Sequence, residues 1–317
     1  MTEISGTNAR FLNTPTILSE VMRVMEPQLV FLDLIPRVDT EGNPVVYGKK
    51  GSRSADGQKQ TPAPITPSSE FPEVQITRMT KETALTTTEG LSFRVDQSAL
   101  DQKTGQDIIM DSIQTIGYWM AEYLNGEIYS ALDAGSTDAG ITPAQWSLGT
   151  ATPIVDLLAF KNSMKVDGYP YRMTDMFVEA VNFNELEGFL IGSDIPEYRG
   201  AVVNAPLQDA LVLPIEGKPV IHSMASGVTH GDIMGLDRNH QTAATLFYHN
   251  SPAFSTPGTI QYVTSEAGKE VTKTVTNFGL SSNQFYDNEH HQAVVQLWCD
   301  FVVKVKDAYG IRTDNGL

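Results

Sequence analysis

Cysteine is almost missing from this chain of 317 residues, with Cys299 the single example. One thiol excludes an internal disulfide framework and fits a reducing compartment. Positive charge is also scarce: 22 Lys plus Arg stand against 38 Asp plus Glu, a formal net charge of −16 with six neutral histidines. So few cations make the chain a poor general binder of nucleic acid, since little counterion release is available. Long apolar runs are absent. Even the stretch 293–303 is interrupted by Gln296 and Asp300, and nothing approaches the ~20 residues of a membrane span. Residues 1–13 are polar and lack the apolar core of a signal peptide, so a soluble protein made inside a cell is expected.

Catalytic signatures are missing too. Gly42 and Gly48 stand one residue too far apart for a phosphate loop, and Lys50 occupies the position that a magnesium-binding Ser or Thr would need. There is no Gly-x-Ser-x-Gly elbow and no His-Glu-x-x-His. His290 and His291, with Asp287 and Glu289 nearby, are metal-capable residue types. At a strand entry, however, adjacent imidazoles point to opposite faces. Cys299 falls on an apolar strand face and reads as a small core residue. Six acids with no Lys or Arg lie between Thr174 and Tyr198, without the Asp/Asn ladder and central Gly of a calcium loop. The aromatics form no platform interleaved with basic residues, which excludes a single-strand nucleic-acid binder. A non-enzyme without cofactor or metal is expected.

What is present is a globular body carrying an arm. Hydrophobic content of 41% and 19% charged residues supply ample core for one large domain or two ordinary ones. From 42 to 70 the only large apolar residues are Val45, Val46, Tyr47 and Ile65. Such a segment cannot offset its own ordering entropy. It is either a disordered insertion or an arm ordered on a neighbouring subunit. Lys49, Lys50, Arg53 and Lys59 face only Asp56 across 43–60, so a basic arm meeting an acidic body makes these four the candidate inter-subunit contacts.

Periodicity orders the rest. Ile17, Leu18, Val21, Met22 and Met25 predict a helix opened by Thr14 and Pro15 and ended by Pro27. Val45 to Tyr47 and the run from 72 to 88 predict a long hairpin with a turn-rich tip. Ile109, Ile113, Ile116, Met120, Leu124, Ile128 and Leu132 form one stripe of a helix about 45 Å long. Helices and short strands alternate in the centre: a helix over 153–164, a strand over 176–180, and a capping box, Asn182 with Glu185, before a helix over 186–191. Further strands are expected at 211–213, 218–222, 232–236 and 244–248, with a pair over 263–278. Last, Ala293, Val295, Leu297, Cys299, Phe301, Val303 and Val305 alternate with polar residues in an unusually long strand.

The order of these elements resembles the major capsid protein of tailed phages and related archaeal viruses, the Hong Kong 97-type capsid fold. The resemblance is architectural and covers essentially the whole chain. It implies an α+β phage major capsid fold: an N-terminal arm (1–41), an extended β-hairpin loop (42–95), a peripheral domain with a long spine helix (96–150), an axial α/β domain (151–283), the long peripheral strand (284–303) and a C-terminal return to the axial domain (304–317). It further implies self-assembly into pentamers and hexamers of an icosahedral shell around double-stranded DNA, in a virion assembled in the host cytoplasm. Other copies of the chain would be its partners, with scaffold, portal and decoration proteins in addition. An encapsulin-like compartment shell is the alternative within the same fold. An enzyme or binding module with a disordered insertion is the alternative outside it.

Overall fold

The computed structural model describes residues 14–50 (except 33 and 43), 79–96, 105–141, 146, 152–166, 171–203, 210–224 (except 216), 231–239, 243–250, 259–266, 269–290 (except 288) and 292–315. Helix α1, Thr14–Met25, forms as its apolar spacing predicts and buries Ile17, Leu18, Val21, Met22 and Met25. Pro27 sits in the 3₁₀ turn Glu26–Gln28 that follows, where its missing N–H and fixed φ stop the α-helix. Helix α2, Gly105–Ala134, is 30 residues long and buries all seven members of its stripe. Each such side chain contributes roughly 1.5–3 kcal/mol by leaving water. Asn125, otherwise buried on α2, donates from Nδ2 to the Gln28 carbonyl at 2.6 Å and so ties the two helices together.

Strand β14, Gln292–Val305, is the counterpart of α2. Fourteen residues of strand and 30 of helix both span about 45 Å, so the two elements form a plank of matched length. The alternating face of β14 from Ala293 to Val303 is buried against α1 and α2. β4, Thr87–Asp96, pairs antiparallel with β14 from Asp96↔Gln292 to Thr87↔Phe301. The strands β13, Leu280–Asp287, and β10, Ala244–Tyr248, also pair antiparallel with β14. Asp300 donates its N–H to Gly279 and accepts from the His249 N–H. Both groups of one strand residue point the same way, so β13 and β10 follow one another along a single edge. Gly279 makes that handover possible: its φ is +96° and a Cβ would lie 2.6 Å from the Asp300 carbonyl. β1, Arg37–Asp39, pairs parallel with β10 and is the outer strand.

The second sheet has six strands in the order β5-β15-β9-β6-β8-β7, namely Thr137–Asp138, Ile311–Asn315, Asp232–Leu236, Asp175–Glu179, Val220–Met224 and Ala210–Val212. It is covered on both sides. Met176, Val178, Ile221 and Ile233 face a core completed by α3, Pro153–Val166, and α4, Ala180–Gly192. Phe177, Met224, Met234 and Leu236 join the core of the plank instead. Double coverage explains why these strands read as nearly continuous apolar runs. Phe177 stacks on His222 (5.0 Å between centroids) and meets Phe31 at 4.6 Å, which pins the segment after α1 to this sheet. At Gly235 a Cβ would sit 2.4 Å from Met173 Cε and 2.8 Å from Phe160, so any larger residue there has to displace both side chains.

Two hairpins complete the body. β11 and β12, Thr259–Glu266 and Lys269–Thr276, pair with Glu266 opposite Lys269, as the strand pair around Gly268 predicts. β2 and β3, Val45–Lys49 and Thr80–Ala84, pair from Val45↔Ala84 to Lys49↔Thr80. The run predicted over 72–88 breaks at Leu85 and Thr86, where β3 gives way to β4; its part before Met79 lies outside the described residues.

Some local expectations need correction. Asn182 is not a helix cap: α4 begins at Ala180, the Glu179 carboxylate accepts from the Val181 N–H at 3.0 Å, and Asn182 is fully buried with its Oδ1 accepting from Gly231. A longer acid one turn earlier satisfies the orphan donor first. Helix α5, Pro196–Val203, has no apolar stripe strong enough to predict it. His290 stands in a turn, not a strand, and its ring meets Asp287 Oδ2 at 2.9 Å while the Glu289 and His290 N–H groups cap Asp287 Oδ1.

Candidate assembly surface

The root of the loop is where charge, packing and topology converge. Val45, Tyr47 and Ala84 seat the β2–β3 hairpin on Phe247 of β10 and Val302 of β14. The Tyr47 and Phe247 rings lie 6.1 Å apart, and Lys306 Nζ sits 5.3 Å from the centre of the Phe247 ring. The Tyr47 hydroxyl donates to Glu82 Oε2 at 2.7 Å. Burial and that carboxylate push the phenol up to about 12, while the same hydrogen bond holds the Glu82 carboxyl below its ordinary value.

The four candidate contact residues divide. Lys49 is half-exposed and pairs across the hairpin with Glu82 at 3.4 Å. Lys50 turns the other way: its N–H donates to the Lys306 carbonyl at 2.7 Å, and its Nζ lies 3.3 Å from Asp307 Oδ2 and 3.5 Å from the Tyr171 hydroxyl. Tyr171 in turn donates to Asp307, whose Oδ1 caps the 3₁₀ turn Ala308–Gly310 by accepting from Tyr309. Lys50 therefore anchors the loop root to the point where the chain leaves β14 for β15. Arg53 and Lys59 lie outside the described residues. Sequence reasoning missed Asp307 and Tyr171, because nothing local relates positions 50, 171 and 307.

Several large apolar side chains are exposed on this subunit. Val46, Met79, Leu85 and Leu91 are exposed on or near the hairpin, and Trp119 and Tyr123 are exposed on α2, Trp119 by 55%. Phe189, Ile191 and Ile195 are exposed at the end of α4. α2 carries acids but no Lys or Arg anywhere along its length. Exposed large apolar side chains of this kind are surface available for contacts with another molecule.

Beneath the surface, Asp175 is buried and bound from several sides: by His222 Nε2 at 2.9 Å, Thr174 Oγ1 at 2.8 Å, and Arg238 through Nη2 at 2.5 Å and Nε at 3.2 Å. Burial pushes its carboxyl up, but the His222, Thr174 and Arg238 contacts outweigh burial and hold it below the ordinary range. This is a structural clamp across β6, β8 and the end of β9. Cys299 is completely buried, and burial raises its thiol well above the ordinary value. Among the described residues no three His, Cys, Asp or Glu side chains converge as a metal site.

No protein-family model matches the chain, and no curated protein matches it. Solved structures do. A virus-like particle from Pyrococcus furiosus superposes with a TM-score of 0.58 at 7% identity, over 94% of this chain and 98% of that one. The chain has the Hong Kong 97-type capsid fold. The mature capsid of bacteriophage PhiM1 superposes with a TM-score of 0.53 at 11% identity, covering 90% and 86%. The SrpI encapsulin from Synechococcus elongatus does so at 0.51 and 12%, covering 92% and 88%. At such identities the likeness rests on architecture alone.

Proposed function

We propose that this chain is a major capsid protein, a shell subunit that self-assembles into pentamers and hexamers of an icosahedral container around double-stranded DNA. The observation that carries the reading is the extent of the likeness to a shell-forming structure, which takes in 94% of the chain and 98% of that structure's chain. The loop of 42–95 is the arm that lies across the next subunit, with α2 as the spine helix and the six-stranded sheet at the centre of the axial domain. Lys49, Lys50, Arg53 and Lys59 serve the arm: Lys50 sets its root, and the others meet acids of a neighbouring copy. Repeated weak contacts between identical subunits give such a shell its stability, and the exposed apolar side chains supply area for them. A net charge of −16 lets the shell enclose DNA without adhering to it. The subunit is not an enzyme. It belongs in the virion, is assembled in the host cytoplasm, and has scaffold, portal and decoration proteins as further partners.

The likeness to an encapsulin supports a second reading, a compartment shell that encloses protein. Light scattering with negative-stain microscopy of the purified chain tests the first step, and closed shells or rings of five and six are expected. Extracting particles after nuclease treatment separates the readings: protected DNA marks the virion shell, and a co-purifying protein in its place marks the compartment. A chain that stays monomeric with and without a scaffold ends both.

A further inference from the structure

Arg37 on β1 is half-buried, and one end of its guanidinium is left without a partner among the described residues. Its Nη1 is shielded from solvent and has no hydrogen-bond partner. Arg37 shares its face of the sheet with Leu246 and Tyr248, the side that turns toward the core. Beside it lies a cavity of about 190 Å³ walled by Glu26, Leu29 and Leu32 of the segment after α1, by Arg37, and by Thr274 and Thr276 of β12. A buried N–H donor without an acceptor costs free energy. An acceptor brought to Nη1 from outside the isolated chain removes that cost.

We infer that this cavity receives a carboxylate, which takes the unpartnered Nη1 of Arg37, and with it the guanidinium fork, in a bidentate contact. The volume admits the head of one side chain. Two hydroxyls, those of Thr274 and Thr276, line the wall as additional donors. The like-charged group there is Glu26, whose carboxylate already accepts from the Tyr262 hydroxyl at 2.7 Å. Its charge disfavours a doubly charged phosphate more strongly than a singly charged carboxylate. The occupant is an Asp or Glu of a second copy of this chain, an assignment that rests on the shell reading; 38 acids against 22 basic residues make acids plentiful on any approaching copy. Filling the cavity couples three elements, the α1 exit, the edge strand β1 and the β11–β12 hairpin, to arrival of the neighbour.

The test compares the wild-type full chain with Arg37→Leu and Arg37→Lys in two measurements. In the first, thermal midpoints are recorded in sodium acetate, sodium phosphate and sodium chloride at equal ionic strength, pH 7. Saturating acetate should raise the wild-type midpoint by about 2–4 °C over chloride, phosphate by less, and neither should raise that of Arg37→Leu. In the second, Arg37→Leu should need about tenfold more protein than wild type for half-assembly, although its midpoint in chloride equals or exceeds that of wild type. Arg37→Lys, which keeps the charge without the fork, should fall between the two. An acetate shift with unchanged assembly would keep the carboxylate site but overturn the second copy as its source. No acetate shift together with wild-type assembly by Arg37→Leu would overturn the inference, as would a lowered midpoint with no acetate shift, which marks a purely structural arginine. If wild type forms no particles, the shell reading fails separately and the acetate measurement alone decides whether the site exists.

Discussion

Shortening the arm is the perturbation that separates a shell subunit from an enzyme with an insertion. Residues 51–78 would be replaced by a four-residue Asn/Gly turn joining Lys50 to Met79. The hairpin root should survive, because its register closes at Lys49↔Thr80 and its Val45, Tyr47 and Ala84 side chains are anchored on Phe247. Lys50 keeps its contacts with Asp307, Tyr171 and the Lys306 carbonyl. Reducing the connection from roughly thirty residues to four is about three halvings of length, each worth about 0.6 kcal/mol of closure entropy, so the folded subunit should gain up to about 1.7 kcal/mol. Urea denaturation reads this as a higher midpoint with an unchanged slope. Assembly should be lost: scattering should report subunits or small rings where wild type gives shells. A shortened chain that is stable and still closes into shells would refute the reasoning that the arm carries the inter-subunit contacts. One that unfolds would refute the claim that the root is self-sufficient.

Three further outcomes follow from the same geometry. Leu124→Ala, in the buried stripe of α2, should cost about 2–5 kcal/mol by urea denaturation, whereas Trp119→Ser on the same helix, 55% exposed, should change subunit stability by no more than about 0.5 kcal/mol. Asp175→Asn should cost about 2–3 kcal/mol at pH 7, less than a fully enclosed pair because Arg238 is half-exposed. Since the folded carboxyl titrates below its ordinary 3.8, that gap should be complete above pH 4, close as pH falls through the lower folded value, and appear in denaturation curves taken between pH 7 and 2. Tyr47 should titrate near 12 in an ultraviolet pH titration; its raised value stabilises the fold below the ordinary 10 and ceases to do so as pH rises past 12, and the late phenol should vanish in Tyr47→Phe.

Much of the architecture was legible in the chain because its two longest elements each bury one face. The α2 stripe from Ile109 to Leu132 and the alternation from Ala293 to Val303 have periods that only a helix and a strand satisfy, and the body of each is buried where the pattern places it. Other elements left weaker marks. β13 was missed because its sequence, Leu-Ser-Ser-Asn-Gln-Phe-Tyr-Asp, looks polar, yet Ser281 and Ser282 are both buried. Their neighbours come from β14 and from the α1 region, far away in sequence. The basic run at the loop was visible, but its division into Lys49 on the hairpin and Lys50 on Asp307 was not.

By itself, then, the amino-acid order determined the longest helix and the longest strand, the core-poor composition of the arm, and the absence of any signature for catalysis. These properties depend on neighbours within a few positions, where periodicity and turn chemistry operate. The tertiary structure alone decided that β10 and β13 share one edge of β14, that Asp175 is clamped by His222 and Arg238, and that Arg37 Nη1 is left without a partner beside a cavity. Each of these depends on groups tens or hundreds of positions apart meeting within hydrogen-bond distance, which no local pattern encodes because the pairing energy arises only once the chain has closed the loops between them.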